Sequence, residues 1–368
     1  MDVGFNIQIR KALLLFALAL GPVAAWALPT PEPESSYLTR FFSEVSYFNT
    51  TANYDIGGGS YTSLGSGRYY RLIEGHVGLE HWVLDNVSVM AQMGYARAAS
   101  YDGLFERTNS SPTELIAGAR YVVPYSRFNF VPELWLAYPF NEFSDDTDEA
   151  LTGEGVMKIF IGLWSELVFG TIKPFAEVGF LYQDDGRASH TLYEAGAKWT
   201  PGRWSASGKI YGTHVVLEDE HTDLRVTRDT VTTRVDGGSW KYYSVDPRTL
   251  GLKAEGGFDI TESFHLKIGY DQTINGEASA AGWTASVGLE YRMSENADRP
   301  KRHEPLITPE VLEPDSSEEK RFEPDPPQYD ESLFDKPKVK KKPKKRTRPA
   351  KKIDVDKALE DVQKSLEN

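Results

Sequence analysis

The feature that most constrains this chain is a two-residue period. From Phe41 to Met293 polar and apolar side chains alternate again and again, with almost no 3.6-residue repeat. In the last such segment Trp283, Ala285, Val287, Leu289 and Tyr291 fall on one face. Thr284, Ser286, Gly288, Glu290 and Arg292 fall on the other. Successive side chains of a strand point to opposite sides of a sheet, so the pattern predicts strands. Twelve are expected, over residues 41–49, 69–82, 87–98, 113–121, 128–138, 156–168, 172–182, 189–199, 204–215, 249–258, 264–274 and 283–293.

The expected connections alternate in length. Short ones (84–86, 123–127, 170–171, 200–203, 259–263) interleave with longer polar ones (50–68, 99–112, 139–155, 183–188, 216–248, 275–282). An even strand number with short turns at one end and long loops at the other describes a transmembrane barrel. A sheet that crosses lipid must close on itself, because every backbone N–H and C=O needs a partner there.

Alternation does not say which face is outside; the residue types do. One face carries both signs of charge at mid-strand: Glu114, Arg120, Glu133, Lys158, Glu166, Lys173, Glu177, Glu194, Lys198, Lys253, Glu255, Lys267, Glu290 and Arg292. These are the expected lumen-lining residues. The apolar face begins or ends in aromatics, Phe128, Tyr138, Tyr182, Trp199, Trp204, Tyr270, Trp283 and Tyr291, as the two interfacial girdles of a barrel facing outer-membrane lipid would require. The fold class is therefore all-β, a closed antiparallel transmembrane β-barrel of about twelve strands.

The remaining sequence fits export. An apolar run over 12–27 follows Arg10 and Lys11 and ends in Ala25-Trp26-Ala27, which reads as a signal peptide over 1–27. A lead-in (28–40) and the barrel (41–293) follow. No cysteine is present, which excludes a disulfide scaffold, a cysteine–zinc site and a thiol nucleophile. The mean hydropathy of −0.44 excludes a bundle of membrane helices. A formal net charge of −13 argues against nucleic acid as a partner.

The final predicted strand, Ser286-Val287-Gly288-Leu289-Glu290-Tyr291-Arg292-Met293, resembles the C-terminal insertion signal of the bacterial outer-membrane β-barrel superfamily. Ser286, Gly288 and Tyr291 match that pattern, and Met293 stands where the family usually has an aromatic. The resemblance implies a cell outer-membrane location in a Gram-negative bacterium and insertion by the barrel assembly machinery. It implies no particular cargo.

Beyond Met293 the composition changes. Residues 294–335 hold thirteen acids against five bases, with many prolines, and 336–352 hold eleven Lys and Arg with no acid. Such a stretch (294–352) lacks the apolar surface to fold and is expected to be a disordered periplasmic linker. Residues 353–368 read as a short amphipathic helix, with Val355, Leu359, Val362 and Leu366 on one stripe. An even strand number puts both barrel ends on the short-turn, periplasmic side. The basic residues Lys340, Lys341, Lys342, Lys344, Lys345, Arg346 and Arg348 are the expected contact to peptidoglycan or an acidic periplasmic protein, and the helix leaves self-association into a homo-oligomer open.

No catalytic or metal-binding set emerges, and no cofactor is expected. Glu218-Asp219-Glu220-His221 and Asp145-Asp146-Thr147-Asp148 superficially resemble the rim acids of omptin proteases, but they fall inside polar loops and read as solvated. The His-x-Ser pair of the outer-membrane phospholipase is absent, since Thr191-Leu192 follows His190 and Val215-Val216 follows His214. The expectation is a non-enzymatic, porin-like barrel passing small solutes through a mixed-charge lumen. A structural anchor or scaffold with a filled barrel is the alternative, and an omptin-like protease a distant third.

Overall fold

A computed structural model describes residues 37–294. It contains fourteen strands and one helix: β1 (Tyr37–Tyr54), β2 (Tyr61–Ser63), β3 (Tyr69–Leu84), β4 (Val87–Tyr101), β5 (Glu106–Tyr121), β6 (Val123–Tyr125), β7 (Phe128–Pro139), β8 (Lys158–Leu167), β9 (Ile172–Gln183), β10 (Ser189–Trp199), β11 (Trp204–Leu217), α1 (Val226–Val235), β12 (Arg248–Asp259), β13 (Phe264–Glu277) and β14 (Ser279–Ser294). β2 and β6 are three-residue pieces that pair with β1 and β7. Each of the twelve long strands pairs with its neighbour in sequence, all antiparallel, and β14 returns to pair with β1 from Tyr37↔Ser294 to Tyr54↔Ser279. The sheet is a closed barrel.

All twelve expected strands are present, several of them longer than expected. β1 starts at Tyr37, inside the stretch read as a lead-in, and β5 starts at Glu106, inside the stretch read as loop 99–112. The polar run Thr108–Ser111 hides the period-2 pattern there, yet it pairs in register with Ala96–Ala99. Residues 275–282 are also almost wholly strand, because β13 and β14 are joined through Ala278 alone.

The two faces separate by burial. On β7 Glu133, Trp135 and Ala137 are buried while Leu134, Leu136 and Tyr138 are exposed, and on β8 Phe160 and Trp164 are buried while Ile161 and Leu163 are exposed. The apolar face thus points away from the barrel axis, the reverse of a soluble barrel and the arrangement that lipid requires.

Inward glycines make room for bulk. A Cβ on Gly162 or Gly179 would meet the Phe160 ring at 2.4 and 2.2 Å, so the ring lies flat on the wall only because neither residue has a side chain.

Candidate functional site

The lumen is filled at both ends and open in the middle. At the short-turn end Trp82, Val122, Val131, Trp164 and Phe175 form a compact apolar cluster. Beside it lies a buried ionic network. Arg40 bonds Glu80 at 2.7 Å and reaches Glu290 at 3.8 Å. Arg120 bonds Glu80 at 3.3 Å and Glu133 at 2.9 Å, and Ser88 donates to Glu80 at 2.9 Å. Burying ions is expensive, and only complete pairing offsets the desolvation; here each carboxylate receives a guanidinium.

At the long-loop end the connection between β11 and β12 turns into the barrel. It carries α1, and Val231, Val235 and Tyr242 pack with Phe48, Tyr70, Leu72, Ala96, Ala98, Leu151 and Ala280. The loop between β7 and β8 joins it through Ala150 and Leu151. This corrects the reading of the run 218–223 as solvated at Asp219, whereas Asp145, Asp146 and Asp148 are exposed as expected. Asp219 is buried and bonds Arg228, with Arg187 at 3.9 Å, and Asp246 accepts from Thr222 at 2.7 Å and from Arg225 at 3.2 Å. The acids therefore tie the inserted loop together, and Asp219 is not free to activate a water as an omptin-type acid would. Gly237 is needed where the chain leaves α1: its φ is +64°, and a Cβ would lie 2.6 Å from the Tyr101 carbonyl oxygen and 2.9 Å from that of Tyr69.

One member of this plug is poorly satisfied. Asp236, at the C-cap of α1, is fully buried; one carboxylate oxygen accepts from the Leu151 N–H at 3.0 Å and the other has no hydrogen-bond partner among the described residues. Burial holds its carboxyl well above the usual carboxylate range. The negative end of the helix dipole disfavours the charge further.

Between the plug and the short-turn end lies a cavity of about 290 Å³. Strands β7 to β13 supply most of its wall and the plug supplies its roof through Trp240 and Lys241. Trp135 and Phe160 stack at 5.1 Å and 20° and, with Leu181 and Leu192, make an apolar side. Charged groups face them: Lys209 bonds Glu194 at 2.5 Å, Lys253 bonds Glu255 at 3.0 Å, and the Tyr211 hydroxyl donates to Asp271 at 2.6 Å.

Every residue expected to line the lumen is buried or half-buried on the inner face. Glu114 bonds Lys158 at 3.0 Å, Asn129 donates to Glu166 at 3.4 Å, and Glu290 receives Lys267 and, at 3.1 Å, Arg292. Glu133, Glu177, Glu194 and Lys253 reach the cavity, whereas Lys173 and Lys198 face each other across the β9–β10 register nearer the short turns. Phe128, Tyr138, Tyr182, Trp199, Trp204, Tyr270, Trp283 and Tyr291 are all exposed on the outer face. In the expected insertion signal Ser286 is half-buried, Gly288 buried, and Tyr291 and Met293 exposed. The basic residues from Lys340 to Arg348 lie outside the described residues.

Sequence reasoning missed Arg40, Glu80, Lys209, Asp271, Trp240, Lys241 and Asp236. Lys209 and Asp271 stand in phase with the polar face of their strands, so alternation could have placed them. The plug residues carry no such signal.

A closed twelve-strand sheet, apolar outside and charged within, defines the class: this is the outer-membrane β-barrel fold. Among solved structures, the chain is similar to an outer-membrane channel from Pseudomonas putida F1, with 13% identity over 72% of this chain and 99% of that one at a TM-score of 0.56. The translocator domain of the autotransporter NalP from Neisseria meningitidis matches with 13% identity, 79% and 96% coverage and a TM-score of 0.40. The NanC porin matches with 4% identity, 68% and 100% coverage and a TM-score of 0.43. No family model matches the sequence, and no curated protein does.

Proposed function

We propose that the protein is an outer-membrane channel for small solutes, held shut by its own inserted loop. The observation that carries this reading is the charged cavity of about 290 Å³ beneath a folded plug. A barrel that served only as an anchor has no need of a hollow middle lined by ionised side chains, since filling it with apolar residues would be simpler and as stable. The two filled ends favour the second reading, a structural barrel whose work is done elsewhere in the chain.

Planar-bilayer conductance separates the two. The full chain should conduct weakly and in brief openings, and a variant with 222–245 replaced by a short Gly-Ser linker should conduct steadily. A plugless barrel that still seals refutes the channel.

The orientation and the tail belong to the same proposal. The short-turn end, where β1 begins and β14 finishes, faces the periplasm, and the basic run Lys340–Arg348 meets peptidoglycan or an acidic partner there. Co-sedimentation with purified peptidoglycan, with and without residues 336–368, tests this; equal pelleting of both forms rules it out.

A further inference from the structure

On the outer face of β3 and β4 the apolar run ends in charge. Going toward the long loops, the outward side chains include Leu79, Val77 and Ile73 on β3 and Val89, Met93 and Tyr95 on β4, all exposed. The next outward residue is Arg71 on β3 and Arg97 on β4, both exposed between buried neighbours. Ile73 lies opposite Arg97 and Arg71 opposite Ala99, so the two arginines are diagonal neighbours, roughly 7–8 Å apart.

The same register rows run into the aromatic girdle. Arg71 lies opposite Asn49, which pairs on its other side with Trp283; Ile73 lies opposite Tyr47, whose ring centre is 5.6 Å from that of Trp283. Girdle aromatics sit at the level of the lipid head groups, and the two guanidiniums emerge beside them.

Neither arginine has a counter-charge. The Arg71 guanidinium lies 4.2 Å from the Tyr69 ring centre and its Nε donates to Asn49 at 3.4 Å. Among the described residues neither Arg71 nor Arg97 makes an ion pair. Arg248, which the alternation of β12 also turns outward, differs in pairing with Glu277 at 2.8 Å. The outward acid of β5, Glu106, lies opposite Tyr101, on the loop side of Arg97, and accepts from the Tyr69 hydroxyl at 3.0 Å.

Two adjacent guanidiniums at head-group level select the anion. A phosphomonoester carries about −1.5 to −2 charges at neutral pH and has oxygens for a forked bond from each arginine. A phosphodiester offers less charge and fewer free oxygens. We propose that Arg71 and Arg97 together hold the phosphomonoester head of a membrane lipid, with its acyl chains against Ile73, Val77 and Met93. The site serves the barrel in its membrane and does not depend on the lumen.

Native mass spectrometry of the full chain in detergent, titrated with single lipids, tests the proposal. Diphosphoryl lipid A and phosphatidic acid, both monoesters, should bind at least tenfold more tightly than phosphatidylglycerol, a diester. The double change Arg71→Gln and Arg97→Gln should abolish that preference, and Arg248→Gln should keep it. Because Arg97 is exposed, Arg97→Gln can be made without disturbing the wall, and alone it should weaken monoester binding at least threefold. Inorganic phosphate at equal concentration should not displace the lipid. Equal binding of monoester and diester lipids by the unaltered protein overturns the proposal, as does a preference that survives the double change. Displacement by inorganic phosphate would make this a plain anion site and overturns the lipid assignment. No arm reads conductance, so the channel can fail while this site stands, and the reverse.

Discussion

Asp236 makes the plug sensitive to pH. The carboxyl is buried, receives one N–H from Leu151, and among the described residues has no cation against it; Tyr70 is a titratable neighbour on the wall. Desolvating a carboxylate costs several kcal/mol, and one hydrogen bond to a charged group returns about 1.5–3 kcal/mol. The net penalty for docking the plug with Asp236 ionised is therefore at least about 2 kcal/mol. Because the docked state raises the pKa, docking takes up a proton. The docked plug is strongest below the free-carboxyl value of about 3.9, and it weakens as pH rises, by about 1.4 kcal/mol or tenfold per unit, until the raised pKa is passed. Asp229, also raised by burial, adds in the same sense, whereas Lys241, lowered by burial, acts in the opposite sense.

Hydrogen exchange of the plug amides reads this directly. The N–H groups of Asp236 and Gly238, both donated to the Thr232 carbonyl at 2.9 Å, should lose at least about sevenfold protection between pH 4.5 and 7, after correction for intrinsic exchange. Asp236→Asn should flatten most of that loss and raise protection at pH 7. A wild-type plug whose protection grows with pH, or an Asn variant with an unchanged profile, refutes the reasoning.

Two further outcomes follow from the barrel itself. Glu80→Gln leaves Arg40 and Arg120 buried with one partner fewer and should cost about 3–5 kcal/mol, seen as a lower temperature for the shift from compact to unfolded mobility in detergent gels; an unshifted transition contradicts the network. Val178, 53% exposed on the outer face, should not tolerate a charge: Val178→Arg is expected to lower stability in lipid vesicles by about 2–4 kcal/mol, and a neutral effect would mean that this face does not meet hydrocarbon.

The strands were legible because the lipid-facing side of a barrel tolerates little but apolar residues, which imposes the period directly on the sequence. Legibility failed where that pressure stops. Thr108–Ser111 pairs as strand with polar residues on both faces, and Arg40 lies in a stretch where the alternation had not yet become visible. The plug failed for a different reason. Its helix reads Val-Thr-Arg-Asp-Thr-Val-Thr-Thr-Arg-Val, poor in helix formers and without an apolar stripe. Its burial depends on walls contributed by β1, β3, β4 and β14, which no local pattern reports. Asp219 reads as solvated charge because its partners, Arg228 and Arg187, are found only after the loop has turned inward.

The seam between β1 and β14 has a consequence for how the molecule comes into being. Every other long-strand pairing joins neighbours in sequence and can form as a local hairpin, whereas this one unites the two extremes of the barrel. Until it forms, the sheet is a ribbon with two open edges, each a template for the wrong partner. Non-local closure of this kind is slow, so the time the chain spends exposed is governed by its last pairing. Arg40 stands at that seam, bonded to Glu80 on β3 and near Glu290 on β14. Changes there should therefore delay assembly more than their effect on final stability would suggest.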